Sequence, residues 1–334
     1  MPSSTRAEDH KRVARDKLAD ELQPYFRRAR LVSAAFARPW CIRLIHGAAR
    51  LLVGRSIAGL DCGQAFIPSR HGGPPIRVRT FRPRDTDGDL PAVLYLHGGG
   101  YAFGTPEIAL DKISAYIATR PCVVIAPDYR KSLLAPYPAA FHDCYDTLLW
   151  IRDNASDLGA RSSRIVVAGH SAGGGLTAAV THAASETGDA DIAFQMPFYP
   201  MLDDRQDSAS AREMQGAPGW SRESSATCWA LYLRGIDGPA PLHAAPARRT
   251  DVSGSPPVVT YVGELDPFRD ETLAYVAASR RAGIPVMFTQ FRGAFHGFET
   301  FAASSPLGQQ AHHFECDAFG KFVDRYASAC EPVR

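Results

Sequence analysis

Residues 164–177 read Arg164-Ile165-Val166-Val167-Ala168-Gly169-His170-Ser171-Ala172-Gly173-Gly174-Gly175-Leu176-Thr177. A short β-branched run is followed by a turn and then by the start of a helix. Gly169, Ser171 and Gly173 form a Gly-x-Ser-x-Gly pattern. In a nucleophile elbow the serine sits on a strained turn between a buried strand and a helix, and its neighbours are tiny because the two backbones pass so close. The helix that follows turns its N-terminal amides toward the place where an anionic intermediate forms. Taken alone, the five-residue pattern also fits a purely structural turn, so the rest of the chain has to decide.

Working outward, apolar runs alternate with amphipathic stretches. Ala92–Leu96, Val123–Ala126, Ile165–Ala168, Phe194–Phe198, Val258–Val262 and Val286–Phe291 read as strands, and residues 111–119, 139–155, 172–185, 271–282 and 309–326 as helices. Continuous Val/Ile runs separated by helices predict a mostly parallel, doubly wound α/β sheet covered on both faces. Residues 76–81 alternate like a half-buried strand, and 83–91 form a polar turn. From Ala7 to about Arg55 the spacing of Val13, Leu18, Leu22 and Phe26, then Ile42, Ile45, Ala49 and Leu52, is helical, divided at Pro24 and Pro39, and it precedes any strand signal. Residues 202–241 break the rhythm between two strands, carrying Trp220, Trp229, Tyr232 and Leu233. This insertion is expected to fold over the carboxyl edge of the sheet, where such sheets bind ligands. The organisation expected is a helical cap segment over 1–55, a core over 56–202, a cap insertion over 203–241, and the core continued over 242–334.

Of the 334 residues, 45% are hydrophobic and 22% charged, values of an ordinary globular protein with room for a sizeable core. A net charge of +2 argues against a dedicated nucleic-acid binder, yet residues 1–58 hold 12 Lys/Arg against 5 Asp/Glu. A basic amphipathic N-terminus suits either a solvated helical face or contact with an anionic membrane or acidic partner. The seven cysteines (Cys41, Cys62, Cys122, Cys144, Cys228, Cys316 and Cys330) are scattered and never form a Cys-x-x-Cys pair. That pattern suits reduced thiols in the cytoplasm better than a disulfide framework or a zinc site. The first thirty residues lack the apolar core of a secretion signal. The apolar stretch from Trp40 to Leu60 is interrupted by Arg43, His46, Arg50 and Arg55, so no stable membrane insertion is expected.

A serine nucleophile needs a base, an acid that orients the base, and amide donors for an oxyanion. After Ala92–Leu96 comes His97-Gly98-Gly99-Gly100-Tyr101, whose glycines leave backbone N–H groups unhindered. Phosphate loops carry a Lys or a Gly-x-Gly-x-x-Gly spacing, neither of which occurs here. Gly99, Gly100 and Ala172 are therefore the expected oxyanion donors. After Val258–Val262 comes Gly263-Glu264-Leu265-Asp266-Pro267, which makes Asp266 the orienting acid, while Asp270 or Glu271 suits a helix cap. After Val286–Phe291 comes Arg292-Gly293-Ala294-Phe295-His296-Gly297-Phe298. Of eleven histidines, only His296 follows the acid on a glycine-flanked loop after the last strand, completing the order Ser, Asp, His of α/β-hydrolases.

With these motifs in hand, the chain resembles the bacterial-type hormone-sensitive-lipase-like carboxylesterases of the α/β-hydrolase fold. The resemblance rests on His97-Gly98-Gly99-Gly100, on residues 169–175, on Asp266-Pro267-Phe268-Arg269-Asp270 and on Phe295-His296-Gly297-Phe298. Asp128-Tyr129-Arg130 and Tyr137-Pro138-Ala139-Ala140 look like a further stretch of that family, and the similarity runs from about residue 60 onward. It implies hydrolysis of esters of short to medium acyl chains by a serine carboxylesterase, no cofactor or metal, and a homodimer paired through a sheet edge. His170 stands where the family usually has Asp or Glu, and Lys131-Ser132-Leu133-Leu134 replaces its usual Arg-Leu-Ala-Pro-Glu run. These departures touch loop packing and pH response and leave the triad intact.

The expected chemistry is acyl transfer in two steps on a small ester. A binding protein on the same fold is a rival, weakened by the presence of all three triad residues. Amide, carbamate or lactone substrates are not separated from esters by the motifs. Tyr101, Phe36, Trp40, Trp220 and Trp229 are candidate substrate-binding residues; such cap aromatics either line an acyl pocket or hold cap to body. The partly polar cap favours soluble esters over interfacial lipase action.

Overall fold

The computed structural model describes residues 13–86 and 88–328. Eight strands form one sheet: β1 (Leu60–Ile67), β2 (Ile76–Pro83), β3 (Ala92–Leu96), β4 (Val123–Pro127), β5 (Ile165–His170), β6 (Ile192–Phe198), β7 (Val258–Leu265) and β8 (Val286–Phe295). Their spatial order is β1-β2-β4-β3-β5-β6-β7-β8. The first two strands pair antiparallel with their neighbours, and the other six run parallel. Every residue of β3, β4 and β5 is buried, as the unbroken apolar runs require. In β3 the side chains alternate between two cores: Ala92, Leu94 and Leu96 face one, Val93 and Tyr95 the other.

Helices cover both faces. In chain order they are α1 (Phe26–Phe36), α2 (Pro39–Arg50), α3 (Leu110–Thr119), α4 (Ala139–Asp153), α5 (Ala172–Thr187), α6 (Ala209–Glu213), α7 (Arg222–Tyr232), α8 (Arg269–Arg281), α9 (Phe298–Phe301) and α10 (Pro306–Phe322). Leu148 of α4 and Val180 of α5 belong to one core, while Ile113 of α3 and Phe319 of α10 belong to the other. The doubly wound, mostly parallel sheet is the architecture expected.

Two local expectations are corrected. Strand β1 was not anticipated: Asp61, Gly63 and Gln64 interrupt its apolar pattern, and it lies at the sheet edge with only Ile67 fully buried. Helical spacing before Phe26 resolves into 3-10 turns at Arg15–Lys17 and Asp20–Tyr25, because Pro24 removes a backbone donor and disfavours a continuous α-helix. The part of that expectation over residues 7–12, like Cys330, lies outside the described residues.

The N-terminal helices and the insertion are stitched together above the sheet. Gly219 N–H donates to the Ala29 carbonyl at 3.1 Å, Ser224 Oγ to the Ser33 carbonyl at 2.9 Å, and Thr227 Oγ1 to the Ala37 carbonyl at 3.0 Å. Further upstream, Ala19 N–H donates to the carbonyl of Gly293, on the strand that leads to His296, at 3.1 Å. A Cβ on Gly293 would lie 2.5 Å from the Ala19 nitrogen, so that contact needs glycine.

Candidate active site

Ser171 bridges the end of β5 and the first residue of α5 with φ 58° and ψ −120°, a conformation that costs a non-glycine residue backbone strain. The strain persists because the strand and helix leave no alternative path. A Cβ on Gly169 would meet the Gly173 carbonyl oxygen at 2.5 Å, and one on Gly173 would meet the Leu96 oxygen at 2.0 Å.

Parallel register sets the carboxyl ends of β3, β5, β7 and β8 side by side, with Leu96 opposite Gly169 and Leu265 opposite Phe295. The residues just beyond those ends therefore converge. His296 Nε2 lies 2.9 Å from Ser171 Oγ, and His296 Nδ1 lies 2.8 Å from Asp266 Oδ2. Asp266 is completely buried, and its other oxygen accepts the Phe268 N–H at 2.8 Å, which fixes the carboxylate's orientation. Rings of Tyr199, Phe268 and Trp220 surround the imidazole at 4.8, 5.1 and 6.0 Å between centroids. His296 is buried and lines the cavity beside it.

The glycine loop lies against this elbow: a Cβ on Gly98 would fall 3.1 Å from the His170 carbonyl oxygen and 3.6 Å from Ser171 Cβ. Gly99 and Gly100 have φ of 122° and 55°. The Gly99 carbonyl accepts from the amides of Ala102 and Phe103 at 2.9 and 3.0 Å, holding the loop closed. His97 anchors its root. This ring is buried, donates from Nδ1 to the Gly98 carbonyl at 2.7 Å and stacks on Tyr129 at 4.3 Å. Burial, reinforced by the nearby Lys131 charge, pushes its pKa down to about 3, so it is a neutral support at ordinary pH.

A cavity of about 300 Å³ opens on Ser171 and His296 and is lined on the cap side by Phe36, Phe103 and Trp220. Two larger surface hollows, of about 840 and 760 Å³, contain none of Ser171, Asp266 and His296. Among the aromatic candidates, Phe36 and Trp220 line the cavity; Phe36 stacks on Phe103 at 4.8 Å and lies 5.2 Å from Trp220. The other three are corrected. Tyr101 donates to the Met201 carbonyl at 2.8 Å and stacks on Tyr232 at 4.0 Å, with Trp229 beside it at 5.5 Å, so Tyr101 and Trp229 are core packing behind the glycine loop. Trp40 is 59% exposed because α2 buries Ile42 and turns Trp40 outward.

Sequence reasoning missed the polar floor of this cavity. His170 accepts or donates at both ring nitrogens, 2.9 Å from Tyr95 Oη and 3.3 Å from Glu315. Glu315 also receives Tyr116 Oη at 2.6 Å and Lys112 Nζ at 2.9 Å, and Lys112 lies 3.9 Å from Glu299. Burial alone would raise the Glu315 carboxyl, but the charges of Lys112 and His170 hold it well below the ordinary carboxylate range. Only His170 stood out beforehand, as a departure beside the nucleophile. Lys112 and Glu315 sit on helices 203 residues apart with no local motif. Among the described residues, no cluster of His, Cys, Asp or Glu is arranged to hold a metal ion.

A profile of the alpha/beta hydrolase fold matches residues 93–300. The carboxylesterase NlhH of Mycobacterium tuberculosis is 32% identical over 240 residues, covering 71% of this chain and 75% of the relative. An ethyl acetate hydrolase of Pseudomonas putida is 30% identical over 248 residues, covering 71% and 76%. Among solved structures, a bacterial heroin esterase superposes with a TM-score of 0.82 at 31% identity, covering 92% of this chain and 98% of that one.

Proposed function

The chain belongs to the α/β-hydrolase fold family, among its hormone-sensitive-lipase-like bacterial carboxylesterases, and from that premise we propose a serine carboxylesterase acting through Ser171, His296 and Asp266. The observation that carries the reading is the unbroken hydrogen-bonded chain from Ser171 Oγ through His296 to the buried Asp266. His296 removes the serine proton as Ser171 attacks the ester carbonyl; Asp266 fixes the imidazole's tautomer and stabilises the imidazolium. Amides of Gly99, Gly100 and Ala172 receive the oxyanion, His296 protonates the departing alcohol, and the same base then activates water to hydrolyse the acyl-enzyme.

The substrates in this reading are esters of short to medium acyl chains. A cavity of about 300 Å³ walled by Phe36, Phe103 and Trp220 supports that size range. An ethyl acetate hydrolase and a bacterial heroin esterase among the similar proteins support it. Residues 13–55 and 203–241 serve as the cap. The reading also includes a homodimer through an open sheet edge, which light scattering showing one species of about 36 kDa would remove. It includes a cytoplasmic location too, supported by the six free cysteines among the described residues. No helix among the described residues is long and apolar enough to cross a membrane.

The test is hydrolysis of p-nitrophenyl esters from acetate to palmitate by the wild type and by Ser171→Ala. Activity that peaks at short or medium chains and falls by several orders of magnitude in the variant is the expected result. A Ser171→Ala protein with near-normal turnover sinks the assignment.

A further inference from the structure

The outer face of α2 is apolar where a solvated helix is polar. Ile42 is fully buried and Ile45 half-buried on the inner side. The opposite side presents Trp40, Leu44 and Leu51, spaced four and seven residues apart so that they form one stripe along the helix and its last turn. They are 59%, 65% and 83% exposed, and Val53 in the turn that follows is 42% exposed. A contiguous exposed apolar patch of this kind marks a contact surface.

Its charge surroundings identify the partner. From Leu22 to Leu60 the sequence contains seven arginines and no aspartate or glutamate. Arg43 and Arg50 flank the stripe and are exposed. None of the seven is ion-paired with a carboxylate among the described residues. The patch also adjoins the catalytic cavity at both ends. Phe36, which lines the cavity, lies three residues before the start of α2. Just past Val53, Gly54 N–H donates to Glu107 at 3.0 Å, next to Ile108 on the cavity rim.

We propose that this face is a peripheral docking surface for an anionic lipid bilayer. The Trp40–Leu44–Leu51 stripe enters the boundary between headgroups and acyl chains, and the arginines meet the negative surface. A second copy of the chain is a poorer occupant, because self-pairing would press an acid-free arginine surface against itself. The twelve residues before Val13 are a poorer one too, since Met1 is their only large apolar side chain. Docking this way leaves the cavity rim at the lipid surface, within reach of esters dissolved in the leaflet that faces the protein. The proposal stands independently of which residue is the nucleophile.

The test is co-sedimentation of the full chain with vesicles of phosphatidylcholine alone and with phosphatidylglycerol added. The protein is expected to pellet with the anionic vesicles, to stay in the supernatant with the neutral ones, and to be released by high salt. Arg43→Glu/Arg50→Glu and Leu44→Ser/Leu51→Ser should each lower the partition coefficient at least about tenfold while keeping the wild-type circular dichroism and hydrolysis of a water-soluble ester. Wild type left in the supernatant with anionic vesicles overturns the proposal, as do variants that pellet like the wild type. A dimer in light scattering that Leu44→Ser/Leu51→Ser dissolves assigns the face to a second copy and overturns it as well.

Discussion

His170, which adjoins Ser171 and lines the candidate cavity, meets Glu315 at 3.3 Å, 145 residues away in the sequence. A buried carboxylate is tolerated there because Lys112, Tyr116 and His170 all bond to it. Removing it in Glu315→Ala strips Lys112, Tyr116 and His170 of their shared acceptor, leaving Lys112 only Glu299 at 3.9 Å, and is expected to destabilise the fold by about 3–5 kcal/mol. Urea unfolding checks this, and a loss under about 1 kcal/mol would show that the network adds little to stability.

Asp266→Asn keeps the size of the side chain and removes the charge that faces His296 Nδ1 at 2.8 Å. Turnover of p-nitrophenyl butyrate is expected to fall by about three to four orders of magnitude, with KM much less affected, because the tautomer of the base is lost rather than a binding contact. Steady-state kinetics at pH 7 and pH 9 checks it. Retention of more than a tenth of wild-type turnover would exclude Asp266 as the orienting acid.

His182 gives stability a dependence on pH outside the carboxylate range. Buried in α5, its pKa is pushed from 6.5 down to about 3 by desolvation and then by the Arg249 and His243 charges. The unfolded chain takes up this proton first, so stability is lost as pH falls from about 6.5 toward 3. Between pH 7 and pH 5 the loss from this group is about 2 kcal/mol. His182→Gln should therefore shrink the difference between unfolding free energies measured at those two pH values; parallel wild-type and variant curves would refute the assignment.

Phe36 seals the cap side of the cavity by stacking on Phe103 at 4.8 Å. Phe36→Ala opens that wall. The preference between p-nitrophenyl octanoate and acetate is expected to move toward the longer ester by about tenfold in kcat/KM, the range available to a change in an apolar pocket. An unchanged ratio would place the acyl chain elsewhere.

The parts legible in the sequence are those whose physics is local. Strand β3 matches its expected span Ala92–Leu96 because a strand buried on both faces announces itself as an unbroken apolar run. Ser171 and Asp266 were selectable for a related reason, each following such a run, whereas His296 follows the partly buried edge strand β8 and was selectable by its glycine-flanked loop after the last strand; parallel strands bring the three together. The edge strand β1 escaped because Asp61, Gly63 and Gln64 stand in a strand that needs only partial burial. Trp40, Tyr101 and Trp229 could not be sorted from Phe36 and Trp220, since which way an aromatic faces is decided by the helix packed against it. Lys112 and Glu315 left no trace, because their meaning arises only where α3 and α10 touch.

The bond from Ala19 to Gly293 bears on how the molecule is made. During synthesis the first residues of the cap emerge long before the β8 segment that receives them, and the helix bearing Glu315 follows later still. A nascent chain can build the middle of its sheet early, but it cannot fasten its leading segment or complete the floor beneath Ser171 until nearly all of the sequence has left the ribosome. The candidate site is thus completed late in translation: the helix carrying Ala29 and Ser33 can meet residues 219–227 first, but the stretch at Ala19 waits for a docking place more than 270 residues downstream.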